Sequence, residues 1–152
     1  IGVDGGRVVV RAPGWSLRRQ AALGGLVLVH DAADGRELAR FAWRDGWRTC
    51  VAGGLVVGVA SRADGLAADV EARALSDGAL AWSAEVPTRR AERGPSRVCA
   101  AGDLLLVVDP GAEGVPGRLS ALDPASGRLL WTRAAPTDER GVAWLCGLLL
   151  SV

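Results

Sequence analysis

Apolar residues of this chain come in short runs, and each run is bounded by glycine, aspartate or proline, as at residues 26–29 and 51–59. Short apolar runs between turn residues predict β-strands joined by tight turns. Residues 34–40 and 67–75 contain good helix formers. Because both stretches align with the alternating residues 117–123, we predict strands there too. The predicted fold class is therefore all-β.

The apolar runs recur at a fixed spacing, which indicates an internal repeat. Cys50 and Cys99 lie 49 positions apart, and so do Trp82 and Trp131. A period of about 40 to 50 residues is typical of propeller blades and related arrays. Each unit fits a meander of four antiparallel strands. A tight glycine turn joins the innermost strand to the second, a loop follows the second strand, and an aspartate turn joins the third strand to the fourth.

The repeat divides the chain into about three blades and a partial one, which together form a single partial propeller domain, 1–152. The predicted units are 1–47, 48–96, 97–143 and the partial unit 144–152. Closed propellers have about 4 to 8 blades, so three blades do not close a ring. We therefore expect an open or incomplete propeller that is part of a larger one. Its ring would be completed by the remaining blades of the same protein or by another chain, including a second copy.

Composition and charge narrow the classes of function. The 152 residues include 18 basic and 17 acidic side chains, every basic one is arginine, and the chain has no Lys, Asn, Tyr or Met. A balanced charge gives no sign of a nucleic-acid-binding surface. No stretch approaches the roughly 18 uninterrupted apolar residues of a membrane-spanning helix. The high Ala, Gly and Arg content is compatible with a GC-rich bacterial source.

The third unit carries a pattern that resembles the repeat of a known family. Residues 117–131 read Gly-Arg-Leu-Ser-Ala-Leu-Asp-Pro-Ala-Ser-Gly-Arg-Leu-Leu-Trp. This segment resembles the repeat of the PQQ-like (quinoprotein-type) β-propellers. In that repeat an alternating strand ends in Ala-Leu-Asp and is followed by turn residues, glycine, a basic residue, two apolar residues and tryptophan. The resemblance implies a propeller of four-stranded blades.

The other two units keep parts of the same pattern. With two residues fewer in its turn, the second unit has Ser76 at the aspartate position, and the first unit has Ala39 at the tryptophan position. The resemblance implies that the tryptophan packs between neighbouring blades and that the aspartate and glycine shape the turn. On this basis the blade-docking residues are Trp82 and Trp131, and the turn residues are Asp31, Gly35, Gly78, Asp123 and Gly127.

Candidate catalytic and metal-binding residues are few. His30 is the only histidine, so any triad would have to include it, and we interpret it as structural. Cys50, Cys99 and Cys146 fall on predicted innermost strands, show no metal-site spacing, and fit the role of small core residues. We predict no catalytic, cofactor-binding or metal-binding residue, and no cofactor. The chain is interpreted as a non-catalytic scaffold or protein-interaction or sensor module.

A quinoprotein oxidoreductase is the alternative that the resemblance raises. The resemblance implies that such an enzyme would hold its cofactor with an adjacent cysteine pair, a tryptophan platform and a calcium cage that includes asparagine. This chain has no adjacent cysteine pair and no asparagine. Under this alternative the chain is a partial blade set whose cofactor residues lie outside it.

Long insertions after the second strand of each unit are the candidate interaction sites. They fall at residues 11–20, 61–66 and 109–117, and the repeat places them on one face of the propeller. Loops carried on a rigid scaffold are common recognition sites. We predict a protein or peptide partner on this face, and the family resemblance favours an extracytoplasmic or cell-envelope location. The candidate contact residues are Trp15, Arg18 and Arg62.

Overall fold

The computed structural model describes seven stretches of the chain, and all of them are strands and turns. They are residues 2–12, 15–16, 21–22, 25–44, 47–88, 96–109 and 116–134. The predicted all-β class is confirmed. Within the two stretches rich in helix formers, residues 37–40 and 67–74 form strands, because tertiary packing overrides weak helix propensity. The described residues include no helix with the length and apolarity needed to cross a membrane.

Three four-stranded antiparallel sheets form three blades. The first blade begins with β1 (Gly2–Asp4) and β2 (Arg7–Ala12), continues through a short hairpin of β3 (Trp15–Ser16) and β4 (Ala21–Ala22), and ends with β5 (Gly25–Asp31) and β6 (Glu37–Trp43). The second contains β7 (Arg48–Ala52), β8 (Leu55–Ser61), β9 (Ala67–Ala74) and β10 (Leu80–Pro87). The third contains β11 (Arg97–Ala101), β12 (Leu104–Asp109), β13 (Arg118–Leu122) and β14 (Leu129–Ala134). In each blade the strands lie side by side in chain order.

Two-residue turns join the first two strands of every blade. In the first two blades the turns are Gly5-Gly6 and Gly53-Gly54, and all four glycines have positive φ. Such hairpins require positive φ at both central positions, which glycine adopts without a steric penalty. The turns fix the strand register, and alternate side chains therefore point to opposite faces of each blade.

The blades pack face to face around adjacent innermost strands, since β1 contacts β7 and β7 contacts β11. Strand β8 contributes to both inter-blade cores. Its Val56 packs with Val29 of the first blade, whereas Val57 and Val59 pack with Leu105 of the third. A strand buried on both faces is apolar at nearly every position, which explains the continuous apolar run at 55–60.

The meander topology gives the propeller two different rims. The turn rim carries the tight turns that join the first strand to the second and the third to the fourth. The loop rim carries the connections between second and third strands and the links between blades. The three insertions identified in the sequence all leave the blades at the loop rim.

Candidate functional site

Trp82 joins the second blade to the third. It lies on β10, is only 8% exposed, and its indole covers Gly127 in the β13–β14 turn. The indole Nε1 donates a hydrogen bond of 2.8 Å to the carbonyl oxygen of Pro124. A Cβ atom on Gly127 would overlap the Trp82 ring, and Gly127 has a φ of 71°. Position 127 therefore requires glycine both for its positive φ and for its close contact with the Trp82 ring.

Phe41 makes the corresponding contact between the first and second blades. Its ring covers Gly78 in the β9–β10 turn, where a Cβ atom would overlap it. Ala39 holds the register position of Trp82, because it pairs with Val29 as Trp82 pairs with Ala72. Phe41 lies two residues further along β6 and hence on the same face. Phe41 was not predicted from the sequence, although an aromatic residue two positions past the expected tryptophan is a signal that could have identified it.

A pair of tryptophans closes the same interface near the loop rim. The rings of Trp43 and Trp47 meet edge to face, with centroids 6.3 Å apart, and both side chains are buried. They lie against Gly58 of β8, where a Cβ atom would come within 2.5 Å of Trp43 Cζ2. The absence of a side chain at Gly58 thus allows two indoles to pack against the second blade.

Gly35 has the geometry of the two covered turn glycines but remains uncovered. Its φ is 73°, close to the 76° of Gly78 and the 71° of Gly127. No described atom lies within 4 Å of the place where its Cβ would be. Trp131, the equivalent of Trp82, lies partly buried on the outward face of the third blade, with the Arg133 guanidinium 5.4 Å from its ring centroid. Of the three equivalent glycines in the described turns between third and fourth strands, Gly78 and Gly127 are therefore covered by an aromatic ring and Gly35 is not.

The turn aspartates bind the backbone of their own turns. Asp31 Oδ1 accepts a hydrogen bond from Ala33 N at 2.8 Å, and Asp123 Oδ1 accepts one from Ala125 N at 3.0 Å. The Ser126 hydroxyl donates to Asp123 Oδ2 at 2.6 Å. This bond and the amide of Ala125 hold the pKa of Asp123 below its ordinary value. Asp123 therefore stays ionised, and its carboxylate holds the turn in shape.

The second blade differs from the sequence alignment at this turn. Gly78 N donates to Ala74 O at 2.9 Å, just as Gly127 N donates to Asp123 O at 2.8 Å. Ala74 therefore occupies the aspartate position, and the alignment that placed Ser76 there with a shorter turn is wrong. Asp77 supplies a carboxylate instead, which accepts a hydrogen bond from Ala79 N at 2.9 Å.

Arg62 is the one candidate contact residue whose side chain is described. It lies on the loop rim and bridges Asp69 and Glu85, each at 2.7 Å. These carboxylates raise the pKa of Arg62, with the hydrogen bond to Asp69 as the largest cause. The bridge lines a groove of about 430 Å³ beside Arg44 and Trp47. Arg18 and the side chain of Trp15 lie outside the described residues.

Comparison with known proteins identifies the family of the chain. Residues 1–146 match the family described as outer membrane protein assembly factor BamB. The chain belongs to this family. The resemblance to PQQ-like β-propellers is confirmed, and the BamB-family chain is a propeller scaffold of this type.

A solved structure and the curated proteins add to this comparison. The crystal structure of BamB from Moraxella catarrhalis is 18% identical in sequence to this BamB-family chain, with a TM-score of 0.48. The match covers 78% of this chain and 35% of the other, so this chain spans about a third of that protein's length. No curated protein matches the chain.

The structure describes the surroundings of His30, Cys50 and Cys99 in this BamB-family chain. His30 lies near the turn rim, with Nδ1 3.1 Å from Gly35 O. Cys50 packs against the core between the second and third blades, and Cys99 is buried on the outward face of the third. Cys146 lies outside the described residues. Within the described ranges, no three His, Cys, Asp or Glu side chains are grouped to hold a metal ion.

Proposed function

We propose that this chain is a section of a larger propeller that acts as a non-catalytic, protein-binding scaffold in the cell envelope. Support for the cell-envelope location comes from the family, whose description names assembly of outer membrane proteins. Support for the scaffold role comes from the residues of the family pattern that the structure describes. Trp82, Gly78 and Gly127 contribute to packing between blades.

The open face of the first blade is the observation that carries the proposal. We give this name to the outward surface formed by Val3, Leu26, Leu38 and Gly35. Val3 is 69% exposed, Leu26 37% and Leu38 40%. The same turn position in the other two blades is covered by an aromatic side chain from the preceding blade. An apolar sheet face with an uncovered glycine is therefore suited to a further blade that carries its own aromatic residue.

The loop rim is the surface that we propose for protein partners. It carries the exposed connections that follow each second strand, and the rigid sheets beneath hold these connections in place. In a propeller, one rim can contact a partner while the flat faces of the blades stay engaged with their neighbours. Arg62, together with Trp15 and Arg18, remains a proposed contact residue.

Site-specific photo-cross-linking in the native host tests this assignment. A photoreactive residue at Ala63, an exposed position on the loop rim, is expected to capture one or more discrete protein partners. The matched control is Ala33, which is equally small and exposed but lies on the turn rim. Cross-links from Ala33 alone, or none from Ala63, would contradict the proposed scaffold role.

A further inference from the structure

Charged side chains are divided unequally between the two rims. Arginine dominates the loop rim among the described residues, and acidic residues dominate the turn rim. The loop rim carries seven arginines, Arg11, Arg44, Arg48, Arg62, Arg97, Arg118 and Arg133, against four acidic residues, Asp64, Asp69, Glu85 and Asp109. The turn rim carries seven acidic residues, Asp4, Asp31, Asp34, Glu37, Asp77, Asp103 and Asp123, against four arginines, Arg7, Arg36, Arg73 and Arg128. The chain is thus nearly neutral as a whole but polarised from one rim to the other.

Arg48 and Arg97 occupy the same place in neighbouring blades. Each is the exposed first residue of an innermost strand, and the two strands, β7 and β11, are in contact. Arg48 pairs with Val59 and Arg97 with Val108, which shows that their registers are equivalent. The repeat therefore brings two guanidinium groups to the inner edge of the loop rim.

These two arginines differ from Arg62 in their partners. Arg62 is held by Asp69 and Glu85, whereas the described part of the chain provides no carboxylate within ion-pair distance of Arg48 or Arg97. Neighbouring like charges repel each other, and an anionic partner placed between them removes that repulsion. Planar guanidinium groups bind carboxylates through paired hydrogen bonds, which suits them to acidic side chains.

Arg11 adds a further positive charge on the same rim. It lies on β2, and its Nε atom is buried with no hydrogen-bond partner among the described residues. It lines a small cavity of about 40 Å³ together with Thr49 and Cys50 at the start of β7. Three arginines from three consecutive blades, Arg11, Arg48 and Arg97, thus lie on the loop rim and are not neutralised by described carboxylates.

We propose that the loop rim binds an acidic segment of a protein partner, whose carboxylates pair with Arg48 and Arg97. This inference rests on the proposed scaffold function and names the chemistry of its partner. The excess of acidic residues on the opposite rim repels the same segment. Charge therefore orients the partner toward the loop rim before close contact is made.

A defined acidic peptide tests the proposal with the intact chain. The probe is a fluorescein-labelled peptide of alternating glutamate and serine, and its counterpart has glutamine in place of glutamate. Fluorescence anisotropy is expected to show salt-sensitive binding of the glutamate peptide alone. The Arg48→Glu/Arg97→Glu double variant is expected to bind it about tenfold or more weakly.

The matched control is the Arg36→Glu/Arg128→Glu double variant. Both of these arginines are exposed on the turn rim, and the change in net charge is the same. Circular dichroism and thermal unfolding establish that each variant is folded. The proposal predicts that this control keeps at least most of the affinity of the unchanged chain.

Three results would overturn the acidic-partner proposal: equal loss in both double variants, equal binding of the glutamine peptide, or binding to phosphatidylserine vesicles without binding to the peptide. The cross-linking experiment keeps this proposal separate from the scaffold role. Discrete partners captured from Ala63 without binding of the acidic peptide would leave the scaffold in place and reject only its acidic partner.

Discussion

Gly127→Ala is expected to destabilise the chain by about 3 kcal/mol, whereas Gly35→Ala is expected to cost only about 1 kcal/mol. Both glycines have nearly the same positive φ, 71° and 73°, so both substitutions impose the same backbone strain. They differ in that a Cβ atom at Gly127 overlaps the Trp82 indole, whereas none of the described atoms lies near the equivalent position at Gly35. Urea unfolding followed by tryptophan fluorescence measures both free energies.

The difference between these two variants isolates the inter-blade contact from the backbone effect. Gly78→Ala is expected to behave like Gly127→Ala, because the Phe41 ring covers Gly78. If both substitutions lowered the free energy of unfolding equally, the Trp82 ring would have to move away from the new Cβ atom at no energetic cost. The contact between Trp82 and Gly127 would then contribute little to holding the blades together.

Trp82→Ala is expected to cost about 3 to 5 kcal/mol, in the range found when a buried aromatic is truncated. The substitution removes a nearly buried indole, leaves a cavity above Gly127, and deprives Pro124 O of its hydrogen bond from Nε1. Denaturant unfolding is again the measurement. Loss of one inter-blade contact should lower the free energy of unfolding without removing the strands within each blade, so the far-ultraviolet circular dichroism should be retained.

Trp131→Ala is the matched control for this substitution. Trp131 holds the equivalent register position in the third blade, pairing with Ala121 as Trp82 pairs with Ala72. Its ring is only partly buried, so its truncation should cost less than half as much. A loss at Trp131 as large as that at Trp82 would contradict the distinction between an engaged and an outward-facing aromatic.

The strands could be predicted from the sequence because their signals are local. Short apolar runs between turn residues marked the elements, and the constant spacing from Trp82 to Trp131 showed the repeat. Residues 67–75 have helical propensity, but alignment with the repeat predicted a strand there, and most of these residues form β9. Local patterns of this kind depend on turn chemistry and alternation, which are readable from one sequence.

The contacts between blades were harder to predict from the sequence, because they join residues that are far apart in the chain. Phe41 replaces the expected tryptophan from a position two residues later, and only the shared face of a strand makes the two positions equivalent. Alignment by residue type also misplaced the turn of the second blade, where hydrogen bonds assign Ala74 to the aspartate position. The sequence pattern identified Gly78 and Gly127 as turn residues. It did not show which aromatic side chain covers each of them.

The charge asymmetry is a property of topology as well as of sequence. Basic and acidic residues are nearly equal in number, and this balance gave no indication of a charged binding surface. Placing each residue on a rim requires the strand order. Once the meander is established, arginines are in excess on the loop rim and acidic residues on the turn rim, among the residues that the structure describes.

The mass of the chain in solution tests most directly whether the open face of the first blade is an interface. Light scattering coupled to size exclusion, at micromolar concentration, should give a mass above the 15.7 kDa of one chain, because the exposed apolar face pairs with a second copy when no further blade covers it. The Val3→Glu/Leu26→Glu double variant, which places charges on that face, should return to the mass of one chain. A single-chain mass for the unchanged protein across the micromolar range would contradict the account, because the open face would then need no further blade.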